Sequence, residues 1–440
     1  MDKPKTTIPL LSGYASYFET EAIVGAIPKG QNNPQKCPFG LYAEQLSGSS
    51  FTMPREKNLR TWLYRIMPSV KHGKVVAAPE EAPFLTEGTH LTPERLRWKP
   101  LDYSSLDKPT DFIQGLVTIG TQGDPTSRDG VAIHLYIANC SMENKCFFNS
   151  DGDWLIVPQE GGLRLETELG LLPLQPGHIA VVPRGIKFRV KLLDEKARGY
   201  ICEVYSGHFE LPDLGPIGSN GLAAPRDFLY PVAHYEEKEV AFTVIQKYGG
   251  KLFRFSLDHS PFDVVGWHGN YAPFIYDLSL FCPVNSVLYD HMDPSIFTVL
   301  TCKSNTPGLA VVDFVIFPPR WMTQEHTFRP PYFHRNCMTE YMGLIRGQYD
   351  AKAEGFVPGG ASLHSMMAAH GPDAVTFEKA SNVELAPSRI GDESLAFMFE
   401  TSRMIKLTDW ALDPNHLDVH YTECWQPLKK LAALDLNKVD

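Results

Sequence analysis

Proline constrains this chain more than any other residue. It occupies 35 of 440 positions, about 8% where roughly 5% is usual. Each proline fixes φ, removes an amide donor and bars the interior of a helix or a central strand. The prolines are scattered through ordinary sequence rather than gathered in low-complexity tracts, so they read as turns between short strands. The longest apolar run, Leu309 to Phe317, contains Asp313 and is stopped by Pro318-Pro319. It falls well short of the ~18 residues of a membrane helix. The first residues, MDKPKTTIPLL, lack the apolar core of a secretory signal. A cytoplasmic chain without membrane contact is the expectation.

Charge narrows the class further. Lys and Arg number 41 and Asp and Glu 51, a net charge of −10, which argues against a nucleic-acid partner and against polybasic membrane attachment. A chain this long that is 43% hydrophobic buries a sizeable core without cross-links. Its eight cysteines form no CxxC pair, the pattern of reduced thiols rather than a disulfide framework or thiolate zinc site.

Short apolar or alternating runs predict strands at Leu63–Val76, Val131–Asn139, Asp153–Pro158, Leu163–Glu168 and, with a break at Pro183 and Gly185, His178–Leu193. A second strand-rich block follows, with Ser286–Tyr289, Phe297–Leu300, Val311–Phe317 and Leu395–Lys406. Residues 79–110 read as loop, 211–226 as a Gly/Pro-rich connection, and the tail from His416 as the best place for a helix. The fold class is therefore all-β with a few short helices. We expect two domains: residues 1–280, an N-terminal β-sandwich or barrel without metal, and residues 281–440, a C-terminal jelly-roll domain with metal.

The metal expectation comes from RPPYFHRNCMTEYMGLIRG. On one unbroken strand His334, Asn336 and Glu340 share a face. The spacing His-x-Asn-x3-Glu-x6-Gly, ending at Gly347, resembles the first metal motif of the cupin superfamily with Asn336 in place of its second histidine. A third ligand is available downstream in GGASLHSMMAAHGPD, at His364 or His370. Two histidines and one carboxylate with open positions suit non-haem Fe(II). His416 and His420 are spaced i,i+4, but no glutamate follows the first as in HExxH, and the pair reads as a decoy. Gly177-x5-Pro183-x-Gly185-x2-Phe188 resembles the second cupin motif with phenylalanine where the metal histidine belongs. The N-terminal barrel thus reads as one that kept its turns and lost its ligands.

Longer stretches resemble a single family, the homogentisate 1,2-dioxygenases. They include GQNNPQKCPFGLYAEQLSGSSFT from Gly30, WLYRIMPSV from Trp62, SMENKCFFNSDGDWLIVPQ from Ser141, FELPDLGPIGSNGLAAPRDF from Phe209, WHGNYAP from Trp267 and DPSIFTVLT from Asp293. The likeness continues through FRPPYFHRNCMTEYMGLIRGQYDAKAEGFVPGGASLH and AHGPDA. It implies an Fe(II) enzyme of tyrosine and phenylalanine breakdown that opens 2,5-dihydroxyphenylacetate with O2 to maleylacetoacetate. It implies iron ligands at His334, Glu340 and His370, and an acid/base histidine at His291. Beside that histidine, Asp290 or Asp293 is available to orient the ring. Substrate contacts are implied at Tyr349, His370 and His364, and the assembly implied is a trimer or a dimer of trimers. Arg335 and Arg346 flank the motif as candidates to attract a carboxylate. A gentisate-type ring-cleaving enzyme and a non-catalytic binding bicupin are the alternatives.

Overall fold

In a computed structural model, residues 8–213, 222–291, 293–349 and 355–432 are described. The expected all-β class is observed. The α-helices among these residues are Ala374–Asn382 and Asp409–Leu412, and the rest of the framework is strand and turn.

The N-terminal half folds as a nine-stranded, a seven-stranded and a four-stranded sheet. Long antiparallel strands Asp129–Ala138, Asp153–Glu160 and Ala197–Val204 run through the centre of the first. They are apolar and buried on both faces, with the consecutive pairs Leu155–Ile156 and Ile201–Cys202 fully buried. Phe188 pairs with Phe147 across the second sheet, and the Phe147 ring stacks on Trp154 at 4.8 Å. A packed aromatic cluster therefore occupies the region of Phe188. Gly177 and Gly185 take left-handed φ values of 93° and 87°, the turn geometry for which glycine is favoured. Residues beyond the 211–226 connection still supply strands to the N-terminal sheets, among them Phe242–Tyr248 and Phe274–Asp277. Of the 211–226 connection, residues 214–221 lie outside the described residues.

Beneath the aromatic cluster lies a buried ionic network. Lys247 donates to Glu203 and to Asp151, each at 2.8 Å, while Asn149 donates to Glu203 at 2.6 Å. His134 Nε2 lies 3.0 Å from the other Glu203 oxygen. Burial alone would raise the Glu203 carboxyl, but Lys247 and His134 overcome it and hold it down at about 2. A depressed carboxylate stabilises the fold above its unfolded value, roughly 4.3, and that contribution is lost as pH falls toward 2. Replacing Lys247 with Met strands Glu203 as a buried, unneutralised charge. Urea unfolding at neutral pH should then show a loss of about 3–5 kcal/mol, narrowing as acid protonates Glu203. Equal stability at neutral pH would mean that the network contributes nothing.

The C-terminal half is built on a six-stranded sheet in the order Thr298–Lys303, Ala310–Phe317, Leu395–Thr401, Thr339–Arg346, Ala361–His364, Arg95–Trp98. Its last strand comes from the region read as loop. Arg95–Trp98 pairs antiparallel with Ala361–His364, while Lys406–Leu407 crosses to the N-terminal sheet. The two halves interlock by exchanging edge strands.

Three local expectations need correction. Ser286–Tyr289 is not a strand; the Ser286 hydroxyl donates to the Tyr289 carbonyl and closes a turn. Among its described residues the tail forms a short 3-10 turn at Tyr421–Trp425 rather than a helix, and residues 433–440 lie outside the described residues. The longer helix, Ala374–Asn382, lies upstream, where Asp373 caps its N-terminus by accepting from the Thr376 amide at 2.7 Å.

Candidate metal centre and its pocket

The ligand motif does not lie on one strand. Strand Thr339–Arg346 begins only one residue before Glu340. His334 sits upstream in irregular chain and is fixed instead by a bridge to His370, with His334 N to His370 O at 2.9 Å and the reverse bond at 3.0 Å. No single strand face carries all three; a backbone bridge between His334 and His370 does the gathering. Glu340 pairs in register with His364 on one side and Glu400 on the other. Gly347 follows the strand with φ 73°; a Cβ there would lie 2.6 Å from the Glu393 carbonyl oxygen, so this tight turn requires glycine.

These pairings bring together one atom each from His334, Glu340 and His370, all within 4.8 Å of one another. His370 Nε2 lies 2.8 Å from Glu340 Oε2, and His334 Nε2 lies 3.5 Å from Oε1. The outward nitrogens are engaged: Nδ1 of His334 reaches the Tyr332 carbonyl and Nδ1 of His370 the Ala368 carbonyl, both at 2.8 Å. A carbonyl only accepts, so each Nδ1 carries a proton, and Nε2 is the ring atom that faces Glu340. This is the support expected around metal-binding imidazoles. Asn336 donates to Glu340 Oε1 at 2.7 Å, so the residue replacing the second histidine braces the carboxylate. Burial would raise the Glu340 carboxyl, yet His334, His364 and His370 around it outweigh burial and hold it well below the usual range. Two imidazoles and one hard oxygen, without thiolate, fit a divalent first-row metal such as Fe(II).

The trio lies in the wall of a cavity of about 670 Å³. His291, Tyr349 and His364 line it as well. His291 sits edge-on to Tyr332, with ring centroids 6.0 Å apart. Asp293 accepts a 3.0 Å hydrogen bond from the Tyr332 hydroxyl, while Asp290 holds a left-handed φ of 62° that turns the chain into His291. Tyr349 is 9% exposed and packs edge-on against Phe317 at 5.6 Å. His364 stacks on His370, with centroids 4.0 Å apart. Arg335 lines the cavity, whereas Arg346 is exposed near Gly177 of the N-terminal barrel. The His416–His420 pair lies elsewhere: His416 stacks on Trp410 at 3.9 Å and His420 bonds Glu423 at 2.8 Å.

Sequence reasoning missed several cavity residues. Glu400 lines the cavity from the strand Leu395–Thr401. Burial first, then repulsion from Glu340 and Asp313, push its carboxyl up to about 7. Its one signal was a lone acid in the apolar run LAFMFET. Arg97, Arg320 and Tyr421 also line the cavity, and none falls in a motif.

Comparison with known proteins accords with this geometry. Residues 9–278 match the family described as Homogentisate 1,2-dioxygenase N-terminal, and residues 279–432 the one described as Homogentisate 1,2-dioxygenase C-terminal. The chain is 57% identical over 419 residues to a homogentisate 1,2-dioxygenase of Dictyostelium discoideum, covering 95% of this chain and 96% of that protein. It is 55% identical over 426 residues to the Homo sapiens protein of the same name, and 56% identical over 434 to that of Mus musculus, with the same coverages.

Proposed function

This chain belongs to the homogentisate 1,2-dioxygenase family, and on that premise we propose how its residues carry out the reaction. It is an oxidoreductase that opens the ring of homogentisate with O2 to give maleylacetoacetate, in the breakdown of tyrosine and phenylalanine. The observation that carries the residue assignment is the convergence of His334, Glu340 and His370 in the wall of a cavity also lined by His291 and Tyr349.

In this reading His334, Glu340 and His370 hold one Fe(II). The metal, when bound, overcomes the spin restriction on reaction between triplet O2 and a singlet phenol, and holds both in proximity. The one carboxylate keeps the local charge low enough for a phenolate to enter. His291 takes the hydroxyl proton of the substrate and returns one later, a role suited to imidazole near neutral pH. Tyr349 packs its ring against the substrate and offers its hydroxyl as a donor, and His364 and His370 complete that wall. The cavity's aromatic residues, Phe297, Phe317 and Phe356, limit water around the ring. Arg335 at the cavity attracts the carboxylate of the substrate.

Residues 1–280 act as a metal-free scaffold and residues 281–440 carry the chemistry. We place the enzyme in the cytoplasm as a homo-oligomer, a trimer or a dimer of trimers. Among the described residues no helix is long and apolar enough to cross a membrane.

Oxygen uptake by the purified, Fe(II)-loaded protein tests this reading. Homogentisate should drive stoichiometric consumption, and gentisate little or none. Equal or greater uptake with gentisate would reassign the substrate, and uptake with neither would return the chain to the binding class.

A further inference from the structure

The C-terminal turn Tyr421–Trp425 packs against the metal loop. Trp425 Nε1 donates to the Pro372 carbonyl at 3.0 Å. Arg95 lies 4.5 Å above the Trp425 ring and donates to the Ala369 carbonyl at 3.2 Å. The residues on either side of His370 are thus held by groups distant in sequence. Tyr421 reaches deeper: its hydroxyl lies 2.7 Å from His364 Nε2. The other face of its ring carries Arg97, whose guanidinium carbon is 3.9 Å from the ring centroid. Arg97 is 4% exposed and is anchored to Asp418 at 3.4 Å.

Donor bookkeeping orients this chain of contacts. A carboxylate only accepts, so Glu340, which faces His364 Nδ1, favours a proton on that nitrogen. Burial pushes the phenol well above its usual value, so it keeps its proton, and that proton has His364 Nε2 as its partner. A neutral imidazole that accepts at Nε2 carries its own proton at Nδ1. His364 Nδ1 lies 3.6 Å from Glu340 Oε2.

We propose that Tyr421 is a positioning residue for the reaction: its hydroxyl, on a ring packed under Arg97, fixes His364 as the Nδ1–H tautomer and turns that N–H toward the Glu340 carboxylate. Together with Asn336 on the opposite oxygen, this braces the carboxylate from both sides, and the stacked His364 ring sets the plane of His370. The inference rests on the metal assignment made above, and its test separates the two.

The test is a nitrogen-15 histidine spectrum of the full-length protein without metal, which reads tautomers directly; His364 is identified by the signal lost in His364→Gln. The wild-type signal should report the proton on Nδ1. In Tyr421→Phe that preference should be lost, and the dissociation constant for ferrous ion should rise about 10-fold. A proton on Nε2 in the wild type overturns the proposal even if the variant fails to fold. So does an unchanged tautomer in Tyr421→Phe, or a changed tautomer with unchanged iron affinity. Wild-type protein that binds no iron would sink the metal assignment while leaving the tautomer measurement standing.

Discussion

Protein carrying Glu340→Gln should emerge from ferrous loading almost free of iron and inactive. Glutamine keeps the shape of the side chain and its contact with Asn336, but it removes the only negative charge among the three ligands. Loss of a group that merely supports a ligand lowers metal affinity by 10–100-fold. Loss of the charged ligand itself should exceed that range. Iron per subunit, measured after loading and desalting, reads this directly. The strand carrying Glu340 is tied on both sides by Ala361–His364 and Leu395–Thr401, so the variant should fold. Full iron occupancy in Glu340→Gln would remove Glu340 from the ligand set.

His291→Asn should behave in the opposite way: iron retained, turnover lost. Removing a positioned acid/base group costs about 10²–10⁴-fold in rate. His291 lines the cavity but is not one of the three gathered ligands. Asparagine occupies similar space and cannot exchange a proton near neutral pH. The signature is kcat reduced by about two orders of magnitude or more, with iron content and thermal midpoint unchanged. If iron is lost along with activity, His291 holds the site together rather than moving protons.

Ligand chemistry made the centre of this site legible in the sequence. A metal demands particular residue types, so His334, Glu340 and His370 stand out in any register, and the geometry that gathers them differs from the one inferred. One strand face was expected; the actual device is a backbone bridge between His334 and His370, a tertiary contact with no local signal. The central strands were legible because burial on one or both faces imposes apolar runs, as at Asp153–Glu160 and Ala310–Phe317. Arg95–Trp98 was not, because RLRW becomes a strand only by pairing with Ala361–His364. The helix at Ala374–Asn382 did carry a signal, the Asp373 cap with Thr376 three residues on. Tyr421 and Arg97 join the pocket by packing across more than 300 residues of sequence, and no motif spans such a distance.

The central claim is that one ferrous ion is held by His334, Glu340 and His370. Crystals grown anaerobically with ferrous salt, with anomalous diffraction recorded at the iron edge, test it most directly. A single strong peak within coordination distance of both Nε2 atoms and the Glu340 carboxylate is the predicted result. An iron peak elsewhere in the chain, or none in this cavity at full loading, would contradict it.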